Sequence, residues 1–266
     1  MMKHPLTALV AWSAALFLLG CQPASPPQAS EETAQLTVAV AASMRPAFEE
    51  IIRAYGEANP GVRIEASYGA SGTFFAQLTQ KAPFDLFLSA DTGYPEKLVA
   101  EGHAEASFPY AVGRLVLWAS KDLGLGVATR GMEVLGDERV HKISIANPEL
   151  APYGRAAMQT MEHYQSGEAA TAKLVRAENV AQAAQFAQSG AAQVGFFADS
   201  LAKTPEMAAA GDVWMVPQEA HAPIVQAGAV LPWSRDRQAA EALRDYLLGP
   251  EGRAILEKFG FGAPQP

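Results

Sequence analysis

Short apolar runs alternate with amphipathic stretches along most of this chain. Residues 36–40, 62–67 and 85–89 read as short strands. Between them Phe48, Ile51, Ile52 and Tyr55, then Phe74, Phe75 and Leu78, recur at the spacing of one helix face. A short helix over 95–101, ended by Gly102, completes a βαβαβα order. That order predicts a mostly parallel sheet with helices on both faces. Strand-like runs resume at 113–119, 142–147, 174–178, 193–197 and 213–217. They are interleaved with a short helix and loop over 131–137 and helices over 155–164 and 180–189. An apolar segment at 224–231 and two helices, 236–248 and 250–259, close the pattern. Crossings at 110–115 and 224–228 divide the whole into two α/β lobes. The first lobe takes residues 36–112 and 226–266, the second 113–225. A chain of 266 residues is long enough for two such lobes.

The turns between strand and helix carry the candidate chemistry. Ala41-Ala42-Ser43 and Gly69-Ala70-Ser71-Gly72-Thr73 each close a strand and open a helix. Ser43 and Ser71 are placed as helix N-caps, the ordinary role of serine there. The small residues around both serines also allow a ligand to approach the backbone closely. In the second lobe Pro152 suits the first position of a helix and leaves the Tyr153 amide free. Asn179 suits the cap of the next helix and exposes the Val180 amide. Four helix starts, two from each lobe, supply N–H groups and positive dipole ends for a small oxyanion. Ligands of such sheets bind at the C-terminal ends of the strands, where both serines fall.

Charge sharpens that expectation. The net charge is −8, which argues against nucleic acid as a partner. An anion would therefore be held by aimed neutral donors and not by a general positive field. Arg114 and Arg235 read as surface residues, Asp91 and Asp199 as caps or contacts between lobes. Cys21 is the single cysteine, so neither an intramolecular disulfide nor a cysteine metal site is available. The five histidines are scattered, without metal-ligand spacing. Lys3 and His4 precede an apolar run from Leu6 to Leu19, too short for an ordinary membrane span. Leu18-Leu19-Gly20-Cys21 resembles a bacterial lipobox. Residues 1–20 then form a lipoprotein signal peptide, and Cys21 becomes the lipid-modified mature terminus. The Pro-, Ser- and Gln-rich residues 21–35 form a flexible tether, which implies a membrane-anchored protein of the periplasm or cell envelope.

The ordered set of motifs resembles a known family. Ala41-Ala42-Ser43, Gly69-Ala70-Ser71-Gly72-Thr73 and Ala82-Pro83-Phe84-Asp85 lie in its order. Asn147-Pro148, Ala151-Pro152-Tyr153-Gly154, Glu178-Asn179-Val180 and Phe259-Gly260-Phe261 extend the match over residues 36–262. Together they are similar to the molybdate-binding receptors of bacterial ABC importers, the ModA family. The resemblance implies a type II periplasmic binding fold, two α/β lobes with mixed sheets joined by a two-crossing hinge. It implies a monomeric binding protein and no enzyme, without a cofactor, carrying molybdate or tungstate to a membrane permease. Carried over, the ligand contacts are the hydroxyls and amides of Ser43 and Ser71 and the amides of Tyr153 and Val180, meeting the oxyanion and not the metal. Some relatives add a tyrosine after a second-lobe strand, where this chain has Gly195-Phe196-Phe197-Ala198. Receptors for sulfate, phosphate or ferric iron share the fold and remain alternatives. A secreted serine hydrolase built on Ser71 with one of the histidines and Asp85 or Asp91 is the alternative from another class. Gly-Ala-Ser-Gly is not the Gly-x-Ser-x-Gly elbow that such an enzyme would use.

Overall fold

The computed structural model describes residues 34–264. The expected signal peptide, Cys21 and most of the expected tether, up to residue 33, lie outside the described residues. Ten strands form two five-stranded sheets. The first contains β1 (Ala34–Ala41), β2 (Val62–Gly69), β3 (Leu86–Leu88), β4 (Phe108–Gly113) and β10 (Ile224–Val230), in the order β2-β1-β3-β10-β4. The second contains β5 (Leu115–Ser120), β6 (Ile143–Ala146), β7 (Leu174–Ala177), β8 (Val194–Ala198) and β9 (Gly211–Met215), in the order β7-β6-β8-β5-β9. Each sheet has three parallel strands followed by an antiparallel one, β10 in the first and β5 in the second. The sheets are therefore mixed, and the two α/β lobes share one plan.

Helices cover the sheets. In the first lobe these are α1 (Arg45–Ala58), α2 (Ser71–Leu78) and α3 (Gly93–Ala100). The second lobe carries α4 (Val127–Arg130), α5 (Pro152–His163), α6 (Gly167–Thr171), α7 (Val180–Gln188), α8 (Asp199–Ala202) and α9 (Pro205–Ala210). The closing helices α10 (Arg237–Leu248) and α11 (Pro250–Lys258) return to the first lobe, where Leu243, Leu247 and Leu256 pack beside Phe48 and Ile51. Side chains of β1 alternate as a strand requires. Leu36, Val38 and Val40 enter the core under α1, α10 and α11. Ala39 faces the opposite core with Phe74, Phe87 and Leu98. The second lobe is built on Trp118, Ile143, Ile145, Phe196 and Phe197, all fully buried. Burying each such side chain stabilises the fold by about 1.5–3 kcal/mol.

The structure departs from the pattern reading at the joints. Residues 108–113 form β4 in the first sheet, and Arg114 alone separates it from β5 in the second. That change of sheet falls within the expected crossing at 110–115; what the pattern did not mark is β4 itself. The segment 224–228 lies within β10, so the return between sheets falls before it, after β9 ends at Met215. Neither serine is an N-cap. Ser43 sits inside a 3-10 turn (Ala42–Met44) that precedes α1, and Ser71 is the first residue of α2, after Ala70. Neither turn has a side-chain cap. Asn179 does cap α7, its Oδ1 accepting from the Ala181 and Gln182 amides at 3.0 and 3.1 Å.

Candidate functional site

Four strand-to-helix turns meet at one point between the lobes. Ala41-Ala42-Ser43 follows β1, Gly69-Ala70-Ser71 follows β2, and Ala90 lies just beyond β3. From the second lobe come Ala151-Pro152-Tyr153 at the start of α5 and Val180 at the start of α7. All of them line a single cavity of about 10 Å³, so Ser43, Ser71, Tyr153 and Val180 are brought together. A volume of that order has room for about one water-sized group and excludes a sugar or nucleotide. Most lining residues are alanine, glycine or proline, which leaves the backbone itself as the wall. Close packing sets the α5 start. A Cβ on Gly154 would lie 2.2 Å from the Ala146 carbonyl oxygen at the end of β6.

The polar groups facing this cavity are neutral. Ser43 is fully buried, and its Oγ meets no partner at hydrogen-bond geometry. Its carbonyl is held by the Ser200 hydroxyl of α8 at 2.7 Å. Ser71 is equally buried, and its Oγ accepts the Ala90 amide at 2.9 Å, which leaves its proton free to donate. The amides of Ser71, Tyr153 and Val180 stand in first helical turns, where the helix supplies no acceptor. A buried polar group without a partner costs roughly 1–3 kcal/mol. The site therefore favours a ligand that accepts from all sides. No charged side chain lines it.

Other bonds close the two lobes over the cavity. The Gly72 amide donates to the Leu150 carbonyl at 2.9 Å, and the Tyr94 hydroxyl to the Glu149 carbonyl at 3.3 Å. Arg155 of α5 forms an ion pair with Asp91, and its guanidinium lies 5.6 Å from the Tyr94 ring centroid. Asp91 also accepts from Ser89 Oγ at 2.9 Å and from the Tyr94 amide at 3.2 Å, so it is both cap and lobe contact. Sequence reasoning missed Arg155, Ser200 and Gln226, because nothing local marks a residue that works across a cleft.

Comparison with known proteins gives this geometry its context. The bacterial extracellular solute-binding protein family matches residues 36–262. The molybdate-binding protein ModA of Azotobacter vinelandii is 38% identical over 233 residues, covering 87% of this chain and 91% of the relative. The chain belongs to the ModA family of solute-binding proteins. The solved structure of the Azotobacter vinelandii periplasmic molybdate-binding protein superposes with a TM-score of 0.79 at 33% identity, covering 86% of this chain and 100% of that one. A substrate-binding domain of a putative molybdenum ABC transporter from Clostridium difficile gives a TM-score of 0.66 at 29% identity, covering 87% and 100%. The family consists of binding proteins and not of enzymes, so the hydrolase alternative falls.

Two further features bear on a family site. Ala198 is fully buried at the end of β8 and offers no hydroxyl. The buried hydroxyl of Tyr153, a residue that lines the cavity, accepts from Gln226 Nε2 at 3.1 Å. Burial raises its pKa, which keeps it protonated. A larger cavity of about 670 Å³ lies between the sheet crossings, lined by Val112, Arg114, Met215 and His221 among others. It contains none of the four helix starts, so we place the site at the smaller one. Among the described residues, no three His, Cys, Asp or Glu side chains gather as a metal site. No helix among them is long and apolar enough to cross a membrane.

Proposed function

We propose that this protein captures molybdate, or the near-isosteric tungstate, between its lobes and delivers it to the permease of an ABC importer. The observation that carries the reading is the convergence of four helix starts on one uncharged cavity that contains a buried, unpartnered serine hydroxyl. The hydroxyls of Ser43 and Ser71 and the amides of Ser43, Ser71, Tyr153 and Val180 are the proposed donors. Charge-assisted hydrogen bonds are worth roughly 1.5–3 kcal/mol each. About six of them, already positioned and dry, reach sub-micromolar affinity after the costs of association. An acidic protein thus holds a dianion without a counter-ion. Discrimination against sulfate, alike in charge and shape but smaller, rests on cavity size. The relatives' names support molybdate as the ligand, and the closed lobes give a permease a ligand-dependent surface.

The protein acts as a monomer in the periplasm or cell envelope, anchored through acyl chains on Cys21. Cys21→Ser should release it from membranes, and continued membrane attachment would contradict the anchor. For the ligand, thermal melting is measured with molybdate, tungstate, sulfate, phosphate and Fe(III). Molybdate and tungstate should raise the melting temperature most. Stabilisation by sulfate or Fe(III), with none by molybdate, rejects the reading.

A further inference from the structure

We propose that Gly72 lets the lobes shut on the anion, and that its contact with the turn at Leu150 sets how long the anion is held. This rests on the oxyanion reading above and assigns a role to a residue that does not carry the ligand itself. Ser43, Ser71, Tyr153 and Val180 are buried around a cavity walled from both lobes. An anion therefore enters or leaves only when the lobes part, and whatever favours the closed form slows its release.

Gly72 is the second residue of α2, so the helix supplies no acceptor for its amide. That amide donates across the cleft to the Leu150 carbonyl at 2.9 Å. The turn that presents Leu150 is already built within the second lobe. The Asn147 carbonyl accepts the Leu150 and Ala151 amides at 3.1 and 2.8 Å, and its Oδ1 accepts the Glu149 amide at 3.1 Å. The Glu149 carbonyl meets the first lobe as well, accepting from the Tyr94 hydroxyl at 3.3 Å. Arg155, paired with Asp91, lies 5.6 Å from the centroid of the same Tyr94 ring. The turn runs directly into Ala151-Pro152-Tyr153, and Gly72 directly follows Ser71. The contact between lobes is thus continuous in sequence with a proposed donor on each side.

The reason for glycine at 72 is this close approach and not the backbone, which is outside the left-handed region. A Cβ there would lie 2.5 Å from Tyr94 Oη, 2.9 Å from Tyr94 Cζ and 3.0 Å from the Leu150 Cα. Tyr94 is only half-buried and can swing aside, but doing so gives up its bond to Glu149 and its place beside Arg155. The Leu150 backbone, held by Asn147, can only draw back with its lobe. With the lobes apart, Leu150 is gone and the Tyr94 ring is free to turn. A methyl group at 72 therefore opposes the closed form and spares the open one, where alanine also suits a helix better than glycine.

Stopped-flow kinetics and differential scanning calorimetry on Gly72→Ala test this, with molybdate as the probe. Without ligand the variant should melt no lower than wild type. Molybdate should leave about 10-fold faster, while its association rate stays within about 2-fold of wild type. Tyr94→Ala removes the ring without adding bulk and should also speed release. Gly72→Ala should then cost less in that background, because one of the two obstructing groups is gone. If Gly72→Ala does not fold, Tyr94→Ala carries the test, with faster release at unchanged association as the supporting result. Unchanged release in these variants, a loss of affinity that lies in association, or a ligand-free melting temperature below that of wild type overturns the role of Gly72. A wild-type protein that binds no tetrahedral oxyanion overturns the underlying reading instead, and this role with it.

Discussion

Ser43→Ala separates binding from stability more cleanly than any other change. The side chain is fully buried, and its Oγ has no partner at hydrogen-bond geometry. Removing the hydroxyl relieves an unsatisfied buried polar group but leaves a small void in its place. These effects are each about 1 kcal/mol and oppose one another. The ligand-free protein should therefore melt within about 2–4 °C of wild type, the shift that 1 kcal/mol produces in a domain of this size. Binding has no such compensation. The anion loses a charge-assisted donor worth roughly 1.5–3 kcal/mol, which is a fall in affinity of about 10- to 150-fold. Differential scanning calorimetry without ligand and titration calorimetry with molybdate measure the two quantities on one preparation. A variant that loses several kcal/mol of stability but keeps its affinity would make Ser43 an ordinary structural serine, and the reasoning would fail.

Other changes should separate in the same way. Asp85 is buried and accepts from the Thr37 amide, the Ser234 hydroxyl and the Arg235 amide at 2.7, 2.9 and 2.8 Å, pinning β1 to the entry of α10. Asp85→Ala should lower stability by about 3 kcal/mol or more in urea titration, yet leave molybdate affinity within a few-fold. Arg155→Met removes the Asp91 pair across the cleft. Because Arg155 is 40% exposed, the loss should stay below about 1 kcal/mol, seen in stopped-flow kinetics as anion release up to about 5-fold faster. Burial raises the pKa of Tyr110 and Tyr153, and of Tyr68 to about 12. Phenols of the unfolded chain ionise near 10, so their protonated folded forms contribute stability in full below about pH 10. That stability should drain away as pH rises through the folded values, while molybdate affinity should stay level between about pH 7 and 9. A steep loss of binding in that window, followed by calorimetry, would contradict a site of protonated neutral donors.

The two-lobe plan was legible because strand and helix periods differ and β1, β2, β6 and β7 end in small residues before the next turn. Pro152 and Asn179 announced their helix starts through backbone chemistry, and both stand where expected. The serines fall at the turns expected of them but not as helix caps. A cap and a proposed ligand donor look alike in sequence; the structure shows no side-chain cap at either turn and an unpartnered Oγ on Ser43. The crossing at Arg114 falls within the expected 110–115, whereas strand β4 just before it was not marked, because the apolar residues there merge with those of β5. Gln226, Arg155 and Ser200 act on residues 73, 64 and 157 positions away. Such partners follow from the assembled lobes, and no local pattern encodes them.

The central claim is that the uncharged cavity between the helix starts holds the oxyanion. A crystal structure of the molybdate complex, with anomalous data collected at the molybdenum edge, tests it most directly. The account predicts one molybdenum peak in that cavity. Its oxygens should lie about 2.7–3.2 Å from the Ser43 and Ser71 hydroxyls and the Tyr153 and Val180 amides. A peak in the larger cavity beside Arg114 and His221, or an oxyanion held by a charged side chain, would contradict it.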